Sequence, residues 1–282
     1  MTPRNQAIAI VGPGRVGQAL GRLLVESGFP VRWIAARRPA VARTAVRFIG
    51  AGQAVNLNAP ELPSASVALL TTSDSALAPT ARQLASLKRD WRRCVVLHTS
   101  GSVPSSVLSP LKKLGAAIGS LHPFQTIPNP AAGVRSLREC FWGIEGDPAA
   151  RRVAMRIVKA LGGHVFPIRP EKKILYHAAA FLVCPTLVTL MENSARLLIH
   201  SGVPARIARP MLGQIVAETL RNYVAMGGRQ ALTGPAARGD WPVIRRHLAA
   251  LRREFPDVVP LYKELVRAML RLAGKKPPRG LL

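Results

Sequence analysis

The sequence predicts an α/β protein, with a parallel-sheet domain over residues 1–169 and an all-α domain over residues 170–282. Three observations carry this. Short apolar runs alternate with helical patterns through the first part, the pattern of strands joined by crossover helices. A glycine-rich turn separates the first apolar run from the first helix. Beyond Pro170 strand signals vanish, and helical periodicity continues to Ala273. A chain of 282 residues is long enough for two domains, and 48% hydrophobic residues are enough to give each a core.

The elements follow in order. Residues 7–11 read as a buried strand, then a helix over 16–26 closed by Gly28, where a left-handed C-cap residue belongs. Residues 31–35 form strand two, 40–50 a helix and 54–57 a short third strand. Strands at 67–71, 94–97 and 116–120 come next, and strands at 141–145 and 165–168 flank a helix at 148–161 as a final pair at the sheet edge. In the second part, helices are expected at 172–200, 204–226, Trp241–Glu254 and 258–272, with breaks at Gly202, Gly227-Gly228, 233–240 and Phe255-Pro256. The tail from Gly274 to Leu282, with two lysines and two prolines, is expected to fray.

The net charge is +26, most of it arginine. Such a chain attracts polyanions at low salt. Yet the basic residues are spread along its length and aromatics make up only 5%, so stacking platforms for nucleic acid are missing and no specific nucleic-acid partner is expected. Cys94, Cys140 and Cys184 are far apart and odd in number, which suggests reduced thiols rather than disulfides or a metal site. The N-terminus runs into a strand without a signal-peptide pattern, so a cytoplasmic location is expected. The most apolar stretch, 174–199, is interrupted by His177, Pro185, Glu192, Asn193 and Arg196. It reads as a buried helix, short of the ~20 predominantly apolar residues a membrane span requires.

Residues 12–17 spell G-x-G-x-x-G directly after a strand and opening a helix, the context of a Rossmann-type dinucleotide site. Gly12 allows the tight turn, Gly14 lets a diphosphate approach the backbone, and Gly17 allows helix to pack on strand, with Pro13, Arg15 and Val16 completing the loop. NAD sites usually place a carboxylate at the end of strand two. Here Arg37 and Arg38 follow that strand, and guanidinium groups pair with a 2′-phosphate where a carboxylate would repel it. NADP is therefore the expected cofactor.

Ligands of such sheets sit beyond the carboxyl ends of the strands. Thr71, Thr72 and Ser73 follow strand four, and Thr99 and Ser100 follow strand five, so these are expected beside the cofactor, with Ser100 either orienting substrate or capping a helix. His122, after strand six, is the expected proton donor and acceptor, because an imidazole titrates near neutrality. His98, nearer its strand, suits a structural hydrogen bond. The polar pair Tyr176-His177 opens an otherwise apolar helix, which places His177 at the cleft or in a satisfied core position. Thr233 and Arg238, in the glycine-rich loop before Asp240, are candidates to hold an anionic substrate, and Asp240 suits an N-cap.

On residues 11–17, 97–102 (LHTSGS), 121–126 (LHPFQT), 176–180 (YHAAA) and 231–240 (ALTGPAARGD), the chain resembles Rossmann-like NADP oxidoreductases whose helical C-terminal domain is a domain of unknown function. More distantly it is similar to pyrroline-5-carboxylate reductase and to prephenate dehydrogenase, in which a His-Pro after a late strand supplies the catalytic histidine; that likeness supports His122. After YHAAA the family continues with small residues and Asn, whereas this chain reads Phe181 to Pro185, a proline expected to kink the helix. The resemblance implies a 6-phosphogluconate-dehydrogenase-like fold and a homodimer through the helical domain, and supplies no substrate. The candidate site residues lead to the expectation of hydride transfer between NADP(H) and a small carbonyl, imine or hydroxy acid. A non-catalytic NADP-binding sensor or scaffold is the alternative.

Overall fold

The computed structural model describes residues 6–60 and 62–282. Its strands are β1 (Ile8–Val11), β2 (Val31–Ala36), β3 (Gln53–Asn56), β4 (Val67–Leu70), β5 (Val95–His98), β6 (Ala117–Pro123), β7 (Phe141–Gly146) and β8 (His164–Pro167). They form one sheet in the order β3-β2-β1-β4-β5-β6-β7-β8. Neighbours from β3 through β6 run parallel, β7 is antiparallel to β6, and β8 is parallel to β7. The order reverses between β1 and β4, which opens a crevice at their carboxyl ends.

Helices α1 (Arg15–Glu26), α2 (Pro39–Ile49), α3 (Asp74–Ala85), α4 (Ser109–Lys112), α5 (Pro130–Ser136) and α6 (Pro148–Ala160) connect the strands. The central strands are buried on both sides, as their unbroken apolar runs require. Alternate residues feed two cores. One contains Leu20, Leu23, Ile49, Leu97 and Trp142. The other contains Val11, Trp33, Leu70, Leu84, Trp91 and Val96. Strand six runs two rungs beyond 121, pairing His122 with Gly143 and Pro123 with Trp142, so His122 belongs to the strand rather than to a following loop.

Helix α7 (Lys173–His200) is continuous through Pro185, where the expected kink leaves the helix unbroken. The chain divides into two compact units, residues 1–184 and 185–282, and the division falls inside α7 rather than at the end of the last strand. The second unit contains the rest of α7 with α8 (Ala205–Met226), α9 (Gly228–Ala231), α10 (Pro235–Arg238), α11 (Trp241–Glu254) and α12 (Val259–Ala273). Its core is built from Ile244, Leu248, Val266, Leu270 and Leu281. The expected frayed tail is corrected here: Leu281 is 7% exposed, because its side chain completes that core.

The expectation of a buried helix at 174–199 is also overturned. Leu175, Phe181, Leu182 and Val188 are each more than 60% accessible or at that level, and none of the most apolar window is covered. The segment Pro170–His200, 31 residues with a mean hydropathy of 1.8 in that window, meets the length and hydropathy of a membrane span, contrary to the expected shortfall. One such helix is weak evidence for a bilayer, since core helices of water-soluble proteins pass the same test.

Candidate dinucleotide site and histidine cleft

The turn between β1 and α1 is shaped by its three glycines. Gly12 sits at φ +74°, and a Cβ there would lie 2.2 Å from the Thr72 methyl. A Cβ on Gly17 would lie 2.2 Å from Thr71 Oγ1, so this residue sets how closely α1 approaches the sheet. A Cβ on Gly14 would meet only a carbonyl at 3.9 Å: this glycine faces open space. Helix α1 has no side-chain N-cap and no acid in its first turn, so its leading amides and positive dipole end are left for a ligand.

That open space is a cavity of about 820 Å³ lined by Gly12, Pro13, Gly14, Arg37, Arg38, Thr72 and Ser73. Val41, Leu57, Pro79, Thr80 and Gln83 line it as well. The sequence reading missed these five because they come from α2, α3 and the strand-three loop, whose approach no local motif encodes. Thr72 Oγ1 is buried without a hydrogen-bond partner among the described residues, a polar atom beside the cavity that a bound ligand would satisfy. Arg37 and Arg38 bring two guanidiniums and no carboxylate to the end of β2. The residues present fit a dinucleotide.

Other predicted cofactor residues lie elsewhere. Thr71 is 7% exposed, and its hydroxyl donates to the carbonyls of Gly12 (2.8 Å) and Val11 (3.3 Å), so it braces the turn from behind. Thr99 is buried and outside the cavity wall; the exposed Arg15 and the half-buried Val16 also lie outside it, and Arg15 reaches the Pro128 carbonyl at 3.5 Å. Thr233 and Arg238 belong to the second unit, where both are exposed beside the short α10. Asp240 caps α11 by accepting from the Val243 amide.

A second cluster surrounds His122. Its Nδ1 lies 2.7 Å from the Tyr176 hydroxyl, and its Nε2 faces Gly101, where a Cβ would come within 2.6 Å of that nitrogen. The exposed His177 ring stands 6.4 Å away, centroid to centroid. Burial is the main force pushing His122 down to about 4; the positive charge of Lys173 and then His177 add to it, and Asp74 opposes them. At neutral pH the ring is uncharged. His98, fully buried at the end of β5, accepts from the Ser100 amide at 3.1 Å. Burial and Lys173 take it down to about 3.

Ser100 is 6% exposed, and its hydroxyl accepts from the amides of Ser102 (3.2 Å) and Val103 (3.0 Å), so it shapes the turn after β5. Ser102 in turn donates to Asp74 Oδ2 at 2.5 Å. Beneath His122, Lys173 and Glu145 form a pair that is 0% and 2% exposed. Glu145 and Lys173 carried no signal in the sequence, and Asp74 entered only as the end of the polar segment after strand four. Tyr176 carried a signal, as a polar residue opening an apolar helix.

Residues 1–123 match the Rossmann-like domain family, and residues 140–269 match the domain of unknown function DUF2520. No curated protein matches the chain. Among solved structures, a candidate NADP oxidoreductase from Bacteroides fragilis is 25% identical over 96% of this chain and 100% of its own, with a TM-score of 0.79. A Thermotoga maritima protein is 24% identical over 95% of this chain and 98% of its own, at a TM-score of 0.72. A pyrroline-5-carboxylate reductase from Coxiella burnetii shares the fold at 16% identity, covering 96% of this chain and 99% of its own, with a TM-score of 0.61.

Proposed function

We propose that this chain, a Rossmann-like domain joined to a DUF2520 domain, is a cytoplasmic NADP-dependent oxidoreductase acting on a small carbonyl, imine or hydroxy acid. One observation carries the reading: a cavity that joins the uncapped start of α1 to two arginines at an acid-free strand end. The α1 amides and Gly14 would hold the diphosphate, Arg37 and Arg38 the 2′-phosphate, and Thr72 a neighbouring polar group. The similarity to a candidate NADP oxidoreductase over the whole chain supports it.

The cofactor supplies or accepts the hydride. His122 handles the proton: uncharged at neutral pH, it takes the proton of a hydroxyl during oxidation and returns it in the reverse direction. Gly101 lets the turn after β5 approach Nε2 more closely than any side chain would allow. Ser100 shapes the adjoining turn. His177 borders the same ring. The exposed apolar residues of α7 and α8 are proposed to bury against a second copy of the chain, giving a homodimer.

Stopped-flow absorbance with a panel of carbonyl and imine compounds tests this. NADPH oxidation is expected with at least one, and His122→Ala should lower turnover about 10²–10⁴-fold while NADPH affinity is kept. No oxidation across the panel would leave the non-catalytic sensor reading in its place.

A further inference from the structure

Helix α7 meets the sheet through two matched rungs. On β6, Ser120 and His122 are two residues apart and share a face; on β7, Glu145 and Gly143 are their register partners. On α7, Lys173 and Tyr176 are three residues apart and share a helix face. In the first rung Lys173 Nζ donates to Ser120 Oγ at 2.5 Å and to Glu145 Oε1 at 3.3 Å. In the second, the Tyr176 hydroxyl lies 2.7 Å from His122 Nδ1, over Gly143, where a Cβ would come within 3.3 Å of it.

The first rung is closed on every side. Glu145 accepts from the Ser105 amide at 2.7 Å and from its hydroxyl at 2.6 Å, so both carboxylate oxygens are held. A buried ion pair is costly to desolvate and is commonly replaceable by apolar residues without loss of stability. Its presence directly beneath the imidazole therefore points to a role other than stability alone.

We propose that Lys173 is a positioning residue for His122: by seating the first turn of α7 on Ser120 and Glu145, it holds Tyr176 against Nδ1 and fixes one tautomer of the imidazole. The inference rests on the reading of His122 as the proton-handling group. Tyr176, one helical turn along, is held at Nδ1, so the imidazole keeps one fixed partner there, and the donor–acceptor direction of that one bond sets the state of Nε2. The same ammonium also disfavours a charge on the ring. The other groups facing His122 are Asp74 from α3, His98 from β5 and His177 from α7, of which only Asp74 pulls towards protonation.

Nitrogen-15 NMR of the histidine rings in the full chain, without cofactor, tests this. Wild-type His122, assigned by its loss in His122→Gln, should show one neutral tautomer and titrate near 4. In Lys173→Gln, which keeps amide donors for Ser120 and Glu145, the midpoint should rise towards 6.5 and the two ring nitrogens should average between tautomers. The double variant Lys173→Met with Glu145→Gln leaves no uncompensated buried charge and should show the same change, whereas Glu145→Gln alone should leave His122 neutral. The proposal is overturned if either Lys173 variant, folded by circular dichroism, keeps the wild-type midpoint and tautomer. NADPH calorimetry on the wild-type sample reports separately on the oxidoreductase reading.

Discussion

At the residue scale, the glycine motif was legible because each glycine answers to a local demand of turn, approach or packing. The division of labour between Thr71 and Thr72 was not. They are adjacent at the end of a strand, so one turns back to brace the loop and the other reaches the cavity, and only the sheet's twist decides which. Gly12→Ala should cost about 1–3 kcal/mol from backbone strain and abolish dinucleotide binding, read by urea unfolding and calorimetry; retained binding would contradict the assigned turn. His122 and His98 make stability depend on pH with a definite sign. Their folded values, about 4 and about 3, lie below the ordinary 6.5, so the unfolded chain takes up protons first. Stability is therefore full above pH 6.5 and falls as pH drops through 6.5 towards 3, with His122 contributing on the order of 3 kcal/mol. His122→Gln should flatten the upper part of that fall in thermal melts, and an unchanged slope would show that the ring titrates normally.

At the element scale, strands and long helices followed from periodicity, while α3 did not, since Pro79 inside it interrupts the helical pattern. The antiparallel β6–β7 pair was equally hidden, because direction of pairing leaves no trace in a short apolar run. It is this pair that makes His122 a strand residue and aligns Glu145 with Ser120. The surroundings of α7 were misjudged for a related reason. Apolar residues all round a helix demand burial, but the sequence does not say whether the cover comes from the same chain. Ile215 is 63% and Val224 75% exposed on α8. Light scattering should give a dimer for the wild type and a monomer for Ile215→Glu with Val224→Glu; a wild-type monomer at micromolar concentration would refute the proposed partner.

For the whole molecule, the strand order, with its reversal between β1 and β4, places every candidate from Gly12 to His122 at one end of the sheet. The strands and the placement of candidates at their carboxyl ends followed from alternating apolar runs, whereas the strand order did not. The contents of the cavity wall did not, since Val41, Leu57, Thr80 and Gln83 meet only once helices and loops are folded back on the sheet. The net charge of +26 adds a field that draws in any anionic ligand and does not by itself select one. In the proposed reading, selection falls to Arg37 and Arg38. Isothermal titration calorimetry of NADPH against NADH on the wild type and on Arg37→Ser with Arg38→Ser tests the central claim most directly. At least about tenfold tighter binding of NADPH, erased in the double variant, is the predicted result. Equal affinity for the two nucleotides would contradict the NADP assignment, and binding of neither would contradict the site itself.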